Sequence, residues 1–97
     1  MRIAVTYENG DVFQNFAIAK QFKLFLVDEG EIFNDMVVDA SGDLLEFLAA
    51  RKVDTLICGN ILPDVKSALE QLNIAVFERV TGSADNAARA YLVGSLS

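Results

Sequence analysis

The chain has no histidine, no tryptophan, one cysteine and one proline among its 97 residues. Each scarcity removes a class of function. Without histidine there is no imidazole base, no Ser-His or Cys-His nucleophile, and no His-ligated metal. With Cys58 as the single thiol there is no internal disulfide and no Cys-x-x-Cys centre. Positive charge is also scarce: 8 Lys+Arg face 14 Asp+Glu, a formal net charge of −6. Phosphate backbones and anionic bilayers need clustered Lys/Arg, so neither nucleic acid nor membrane is expected as a partner. No apolar run approaches the ~18–20 residues that span a bilayer. The first residues carry no long apolar stretch and no cleavage site of a signal peptide. The expectation is a cytoplasmic protein with a reduced thiol.

What is present suits a folded domain. Apolar residues make up 53% of the chain, too many for a disordered segment. The length fits a single domain over residues 1–97. Arg2 to Tyr7 reads as a strand, and its unbroken Ile3-Ala4-Val5 run predicts burial on both faces. Asn9-Gly10 marks a turn. Val12 to Lys20 reads as a short extended piece followed by a loop or one helical turn. Phe22–Asp28 and Glu31–Asp39 alternate as strands around Glu29-Gly30, an antiparallel hairpin. The period then changes to 3.6. Asp43–Arg51 predicts a helix with Ser41 as its cap, and Pro63–Leu72 a second with Pro63 in the first turn. A third follows Ser83, with Ala84, Ala87, Ala88, Tyr91 and Leu92 on one face and Gly94 at its end. Asp54–Cys58 and Ile74–Phe77 are short strands between helices, which implies parallel pairing. The fold class expected is α/β: three layers, a ribonuclease H-like motif, and a mixed five-stranded sheet with one antiparallel strand and three helices.

Ligands of open α/β sheets bind beyond the carboxyl ends of the strands. Three loops qualify: Gly10–Ala19, Gly59–Leu62 and Val80–Ser83. None carries a dinucleotide or P-loop glycine pattern. No set of carboxylates stands where a two-metal nuclease needs them. No base, activated nucleophile and electrophile occur together, so no enzyme is expected. Cys58 has two readings, a small buried apolar residue or a soft ligand at a strand's end. Phe13 and Phe16 lie in a loop-like stretch where either could wall a pocket.

Three stretches carry a resemblance. They are Arg2–Tyr7 followed by Val12-Phe13-Gln14-Asn15-Phe16, then Val53–Gly59 with Ile74–Phe77, and finally Gly82–Asp85 through Ala90-Tyr91-Leu92. Together they resemble the dinitrogenase iron–molybdenum cofactor biosynthesis family, over nearly the whole chain and in order. The resemblance implies an accessory protein that binds or carries an iron–sulfur or molybdenum-containing cluster precursor, alone or as a homodimer, with a protein partner in cofactor assembly. It implies a site of Gln14, Asn15, Phe16, Gly59, Asn60, Gly82 and Ser83, with Cys58 as the metal ligand. The departures are chemical. The family's His-Phe-Gly reads Asn15-Phe16-Ala17 here, and its Cys-Gly-Gly-Ile-Gly reads Cys58-Gly59-Asn60-Ile61-Leu62. A Gly- and His-containing segment before the first main helix is absent, since Asp39–Asp43 passes almost directly into it. An amide is a poor ligand where an imidazole is a good one. The alternative is therefore a member that has lost its cluster and serves as a protein-interaction module.

Overall fold

The computed structural model describes residues 1–95. The last two positions of the domain expected over 1–97 lie outside the described residues. The strands are β1 (Arg2–Glu8), β2 (Asp11–Val12), β3 (Gln21–Asp28), β4 (Glu31–Asp39), β5 (Thr55–Ile57) and β6 (Ala75–Phe77). The helices are α1 (Leu44–Ala50), α2 (Pro63–Gln71) and α3 (Ala84–Leu92), with a 3-10 turn at Phe16–Ile18. The sheet order is β4-β3-β1-β5-β6. β3 runs antiparallel to both of its neighbours, while β1, β5 and β6 are parallel. This topology is compatible with the ribonuclease H-like motif.

The central position of β1 follows from its composition. Ile3, Ala4 and Val5 have no exposed surface, because β3 and β5 flank the strand and helices cover both of its faces. Period-two alternation then sorts side chains to two cores. Ala4, Phe22, Leu24, Leu56 and Cys58 join Phe47, Leu48 and Leu69 of α1 and α2. Ile3, Val5, Phe25, Val27 and Ile57 join Ala84, Ala87 and Ala88 of α3. Two helices therefore cover one face and α3 the other, which gives the three layers. Burying each large side chain contributes roughly 1.5–3 kcal/mol before entropy is counted.

Turn chemistry fixes the hairpin. Glu29 and Gly30 both take positive φ (51° and 78°), the two-residue arrangement that matches strand twist. The continuous sheet has the five strands expected, and Asn9 and Gly10 at φ 50° and 91° fold Asp11–Val12 back onto β1 as a sixth, two-residue strand off that path. One expectation is corrected. The cap of α1 is Asp43, not Ser41. Its Oδ1 accepts from the N–H groups of Leu45 at 2.9 Å and Glu46 at 3.1 Å. Gly42 at φ 67° turns the chain between them, which leaves Ser41 before the helix begins. Ser83 caps α3, its Oγ accepting from Asn86 N–H at 3.2 Å. No helix among the described residues is long and apolar enough to cross a membrane.

Candidate functional site

The carboxyl ends of β1, β5 and β6 are joined by backbone hydrogen bonds beyond the strands. Asn60 N–H donates to Gln14 O at 2.6 Å, and Phe16 N–H donates to Asn60 O at 3.1 Å. Asn15 and Asn60 thereby form an isolated parallel bridge. On the other side Arg79 N–H donates to Gly59 O at 2.8 Å and Val80 N–H to Cys58 O at 3.0 Å. The Gln14 side-chain amide ties the same loops, donating to Val12 O at 3.0 Å and Val80 O at 2.9 Å. The approach is close enough to require glycine at position 59. A Cβ there would lie 2.5 Å from Gln14 Cα and 2.7 Å from Gln14 O.

In front of this seam is a recess of about 420 Å³. Asn15, Phe16 and Ala17 form one wall, Asp43, Leu44 and Leu45 a second, and Asn60, Ile61, Leu62 and Val65 a third. Its apolar walls come from the starts of two helices. Asn15 Oδ1 accepts from Ala17 N–H at 3.2 Å and so caps the 3-10 turn. That leaves the amide nitrogen of Asn15 free to donate, and the exposed Asn60 offers another amide. The first turn of α2 has no side-chain cap, because Leu62 stands at its N-cap and Pro63 follows. Its N–H groups therefore remain available at the rim. The one carboxylate of the lining, Asp43, has an oxygen committed to α1.

The structure divides the residues expected from the sequence. Asn15, Phe16 and Asn60 line the recess. Gln14 and Gly59 lie behind it and hold the loops in register. Gly82 and Ser83 are not among its lining residues. Val12 N–H donates to Gly82 O at 2.8 Å, Ser83 bridges Asp11, and Ala84 N–H donates to Gly10 O at 2.9 Å. Their work is to join β2 to the start of α3. Cys58 is fully buried in the core under α1 and α2. Burial first, and the charge of Glu78 second, push its thiol up to about 12, with Lys66 acting the other way. Lys66 Nζ donates to Glu78 Oε2 at 2.7 Å, which raises the lysine's pKa and lowers the carboxyl's. A metal ligand must be a thiolate, and this environment holds the proton on. Among the described residues no three His, Cys, Asp or Glu side chains group to hold a metal ion. Leu62 ends one of the candidate loops, whereas Asp43, Leu44, Leu45 and Val65 were not expected in a site. Their only signal in the sequence is that each lies at a helix start.

The buried thiol has a measurable consequence. Ellman's reagent is expected to leave native Cys58 unmodified for hours and to titrate it fully on unfolding. Between the ordinary thiol pKa near ~9 and the folded value of about 12, the unfolded chain ionises and the folded one does not. That contribution is therefore intact below pH ~9 and is lost as pH rises toward 12, by up to ~1.4 kcal/mol per pH unit. Denaturant titrations at pH 8 and 10 on the wild type and Cys58→Ala check it. An equal pH dependence in both proteins would assign the loss to other groups.

A small α/β domain whose loops build a recess beyond the strand ends is thus the class that fold and site define. The chain belongs to the family described as dinitrogenase iron–molybdenum cofactor, whose model matches residues 1–94. The uncharacterized protein MJ0580 of Methanocaldococcus jannaschii is 26% identical over 105 residues, covering 99% of this chain and 89% of that protein. The apo form of the orange protein from Desulfovibrio gigas superposes with a TM-score of 0.84 at 26% identity, covering 99% of this chain and 90% of that one. The crystal structure of PH0822 shares the fold at a TM-score of 0.91 and 22% identity, with 100% and 93% coverage.

Proposed function

We propose that this protein is an accessory factor that binds or carries a cluster precursor, an iron–sulfur or molybdenum-containing species that brings its own sulfide, in the recess between Asn15, Asn60 and the starts of α1 and α2. The observation that supports this reading is the donor set. The recess offers neutral N–H donors and apolar walls, but no imidazole and no exposed thiol. Such a lining cannot complete a metal's coordination shell. It suits an anion whose metal is already saturated by sulfide, since sulfides accept hydrogen bonds and their polarisable faces pack against Leu and Ile. Phe16 and Leu62 would exclude water from one side, and the Asn15 and Asn60 amides would orient the sulfides. Asp43 and the net charge of −6 work against an anion, so the affinity is modest.

The test is an anaerobic titration with tetrathiomolybdate and with reconstituted iron–sulfur species, followed by absorption and by metal content at equilibrium dialysis. Retained metal is expected in the wild type and unchanged in Cys58→Ala. Asn60→Asp, which replaces a donor by a like charge, is expected to weaken retention by at least about tenfold. Asp43→Asn keeps an oxygen for the α1 cap and removes a charge, so it should strengthen retention. Failure of the wild type to retain any metal would sink this reading in favour of a module that binds protein alone. Retention that depends on Cys58 would move the site into the core.

A further inference from the structure

Strand β4 is one edge of the sheet. It is nine residues long and carries no Lys, Arg or Pro, so its protection rests on the carboxylates of Glu31, Asp35 and Asp39 and on one bulge. Phe33 is 67% exposed, Met36 41% and Val37 43%. The charge along this part of the sequence is one-sided, although Lys23 of β3 stands beside Asp35. Residues 24–50 contain no Lys or Arg but seven of the chain's 14 carboxylates, Glu31, Asp35 and Asp39 of β4 among them. The register with β3 shifts between Leu26 and Val27, which leaves Phe33 as the extra residue of a bulge. Beyond it Asn34–Asp39 pairs regularly with Gln21–Leu26. This six-residue run is the usable edge, since every second residue turns its N–H and C=O away from β3.

We infer that Asn34–Asp39 of β4 docks an extended segment of another protein by strand addition, and that the segment alternates apolar with basic residues. The alternation of β4 itself sets that pattern. Met36 and Val38 oppose Leu24 and Phe22 and so continue the face that α1 and α2 cover. Asp35, Val37 and Asp39 oppose Phe25, Lys23 and Gln21 on the other face. An added strand therefore places one set of side chains beside Met36 and Val38 and the other beside Asp35 and Asp39. Lys or Arg suits the second set. Lys23 lies 3.7 Å from Asp35, but its closer partner is Asp85 at 2.7 Å, and Asp35 remains half exposed. Main-chain hydrogen bonds would supply affinity and the alternation specificity. A second copy is the poorer occupant, because it brings an edge with carboxylates and no cation.

The experiment uses the intact protein, labelled with nitrogen-15, and a capped eight-residue peptide alternating lysine and valine. Its control has the same composition with four lysines followed by four valines. Amide shifts concentrated in residues 34–39 are expected, with at least tenfold tighter binding of the alternating peptide. Asp35→Lys with Asp39→Lys should lose that binding at least tenfold and gain it for a peptide alternating glutamate and valine. Asp35→Asn with Asp39→Asn supplies a milder pair whose spectrum checks that the fold is kept. Equal binding of both lysine peptides, or shifts elsewhere on the surface, would overturn the inference. So would concentration-dependent self-association through the same amides without peptide.

Discussion

Gly59→Ala is expected to destabilise the protein by about 3 kcal/mol and to lower its melting temperature by roughly 10–20 °C. The cause is steric and local. The added methyl would lie 2.5 Å from Gln14 Cα and 2.7 Å from both Gln14 O and Oε1. Two of those three atoms are backbone, so a rotamer change cannot relieve the contact. The loop must shift instead, and the bond from Asn60 N–H to Gln14 O at 2.6 Å stretches with it. Asn15 and Asn60 then separate, and the recess loses the spacing of its two amides. Gly82→Ala is the matched control. Gly82 sits at φ 89° with open space where its Cβ would go, so its cost is backbone strain alone, about 1 kcal/mol. Differential scanning calorimetry of both variants, with amide spectra of residues 14–16 and 60, separates packing from strain. A melting temperature for Gly59→Ala within 2–3 °C of wild type, below the ~4 °C that a single kcal/mol moves a domain this size, would mean the seam is not tight.

The same seam shows what could and could not be read from the residues in order. Local chemistry was legible. Glu29-Gly30 specifies a two-residue turn, Ile3-Ala4-Val5 a strand buried on both faces, and Ala84, Ala87 and Ala88 one face of a helix, and each depends on neighbours within a few positions. The burial of Cys58 is legible too, since alternation from Leu56 puts it on the same face. What failed to show was any feature set by a partner far along the chain. Asp11–Val12 becomes a strand partly because Val12 N–H finds Gly82 O, seventy residues away. Ser41 lost the cap of α1 to Asp43 because Gly42 adopts φ 67°, a choice that several turn residues in a row leave open. The three loops at the strand ends were identified, but not which of them share a recess. That depends on the sheet, which puts α1 and α2 on one side and α3 on the other. Gly82 and Ser83 therefore fall away from Asn15 and Asn60, although all four follow the ends of strands.

Phe22→Ala is expected to cost about 3–5 kcal/mol, a large part of the roughly 5–15 kcal/mol that a domain this size possesses. Phe22 is fully buried. Its ring meets Phe16 edge-on at 6.2 Å and stacks on Phe47 at 5.7 Å. Phe16 belongs to the 3-10 turn that walls the recess, and Phe47 to α1, whose first residues form the facing wall. One ring of β3 therefore supports both sides of a site that it does not line. Removing it opens a cavity beneath Phe16, so the loss should appear twice: as a lower denaturation midpoint, and as weaker thiometallate retention in protein that is still folded. Phe33→Ala provides the contrast, since Phe33 is 67% exposed and should move stability by less than about 0.5 kcal/mol. Phe22→Leu separates the two effects, because it keeps most of the volume and removes the stacking. If Phe22→Leu retained wild-type stability but lost retention, the aromatic contacts would be positioning the wall. If both fell together, core and wall would depend on the same aromatic contacts, and if neither fell, core volume alone would support the wall. A Phe22→Ala midpoint within about 1 kcal/mol of wild type would contradict the packing argument, because it would require the core around Phe16 and Phe47 to close without penalty.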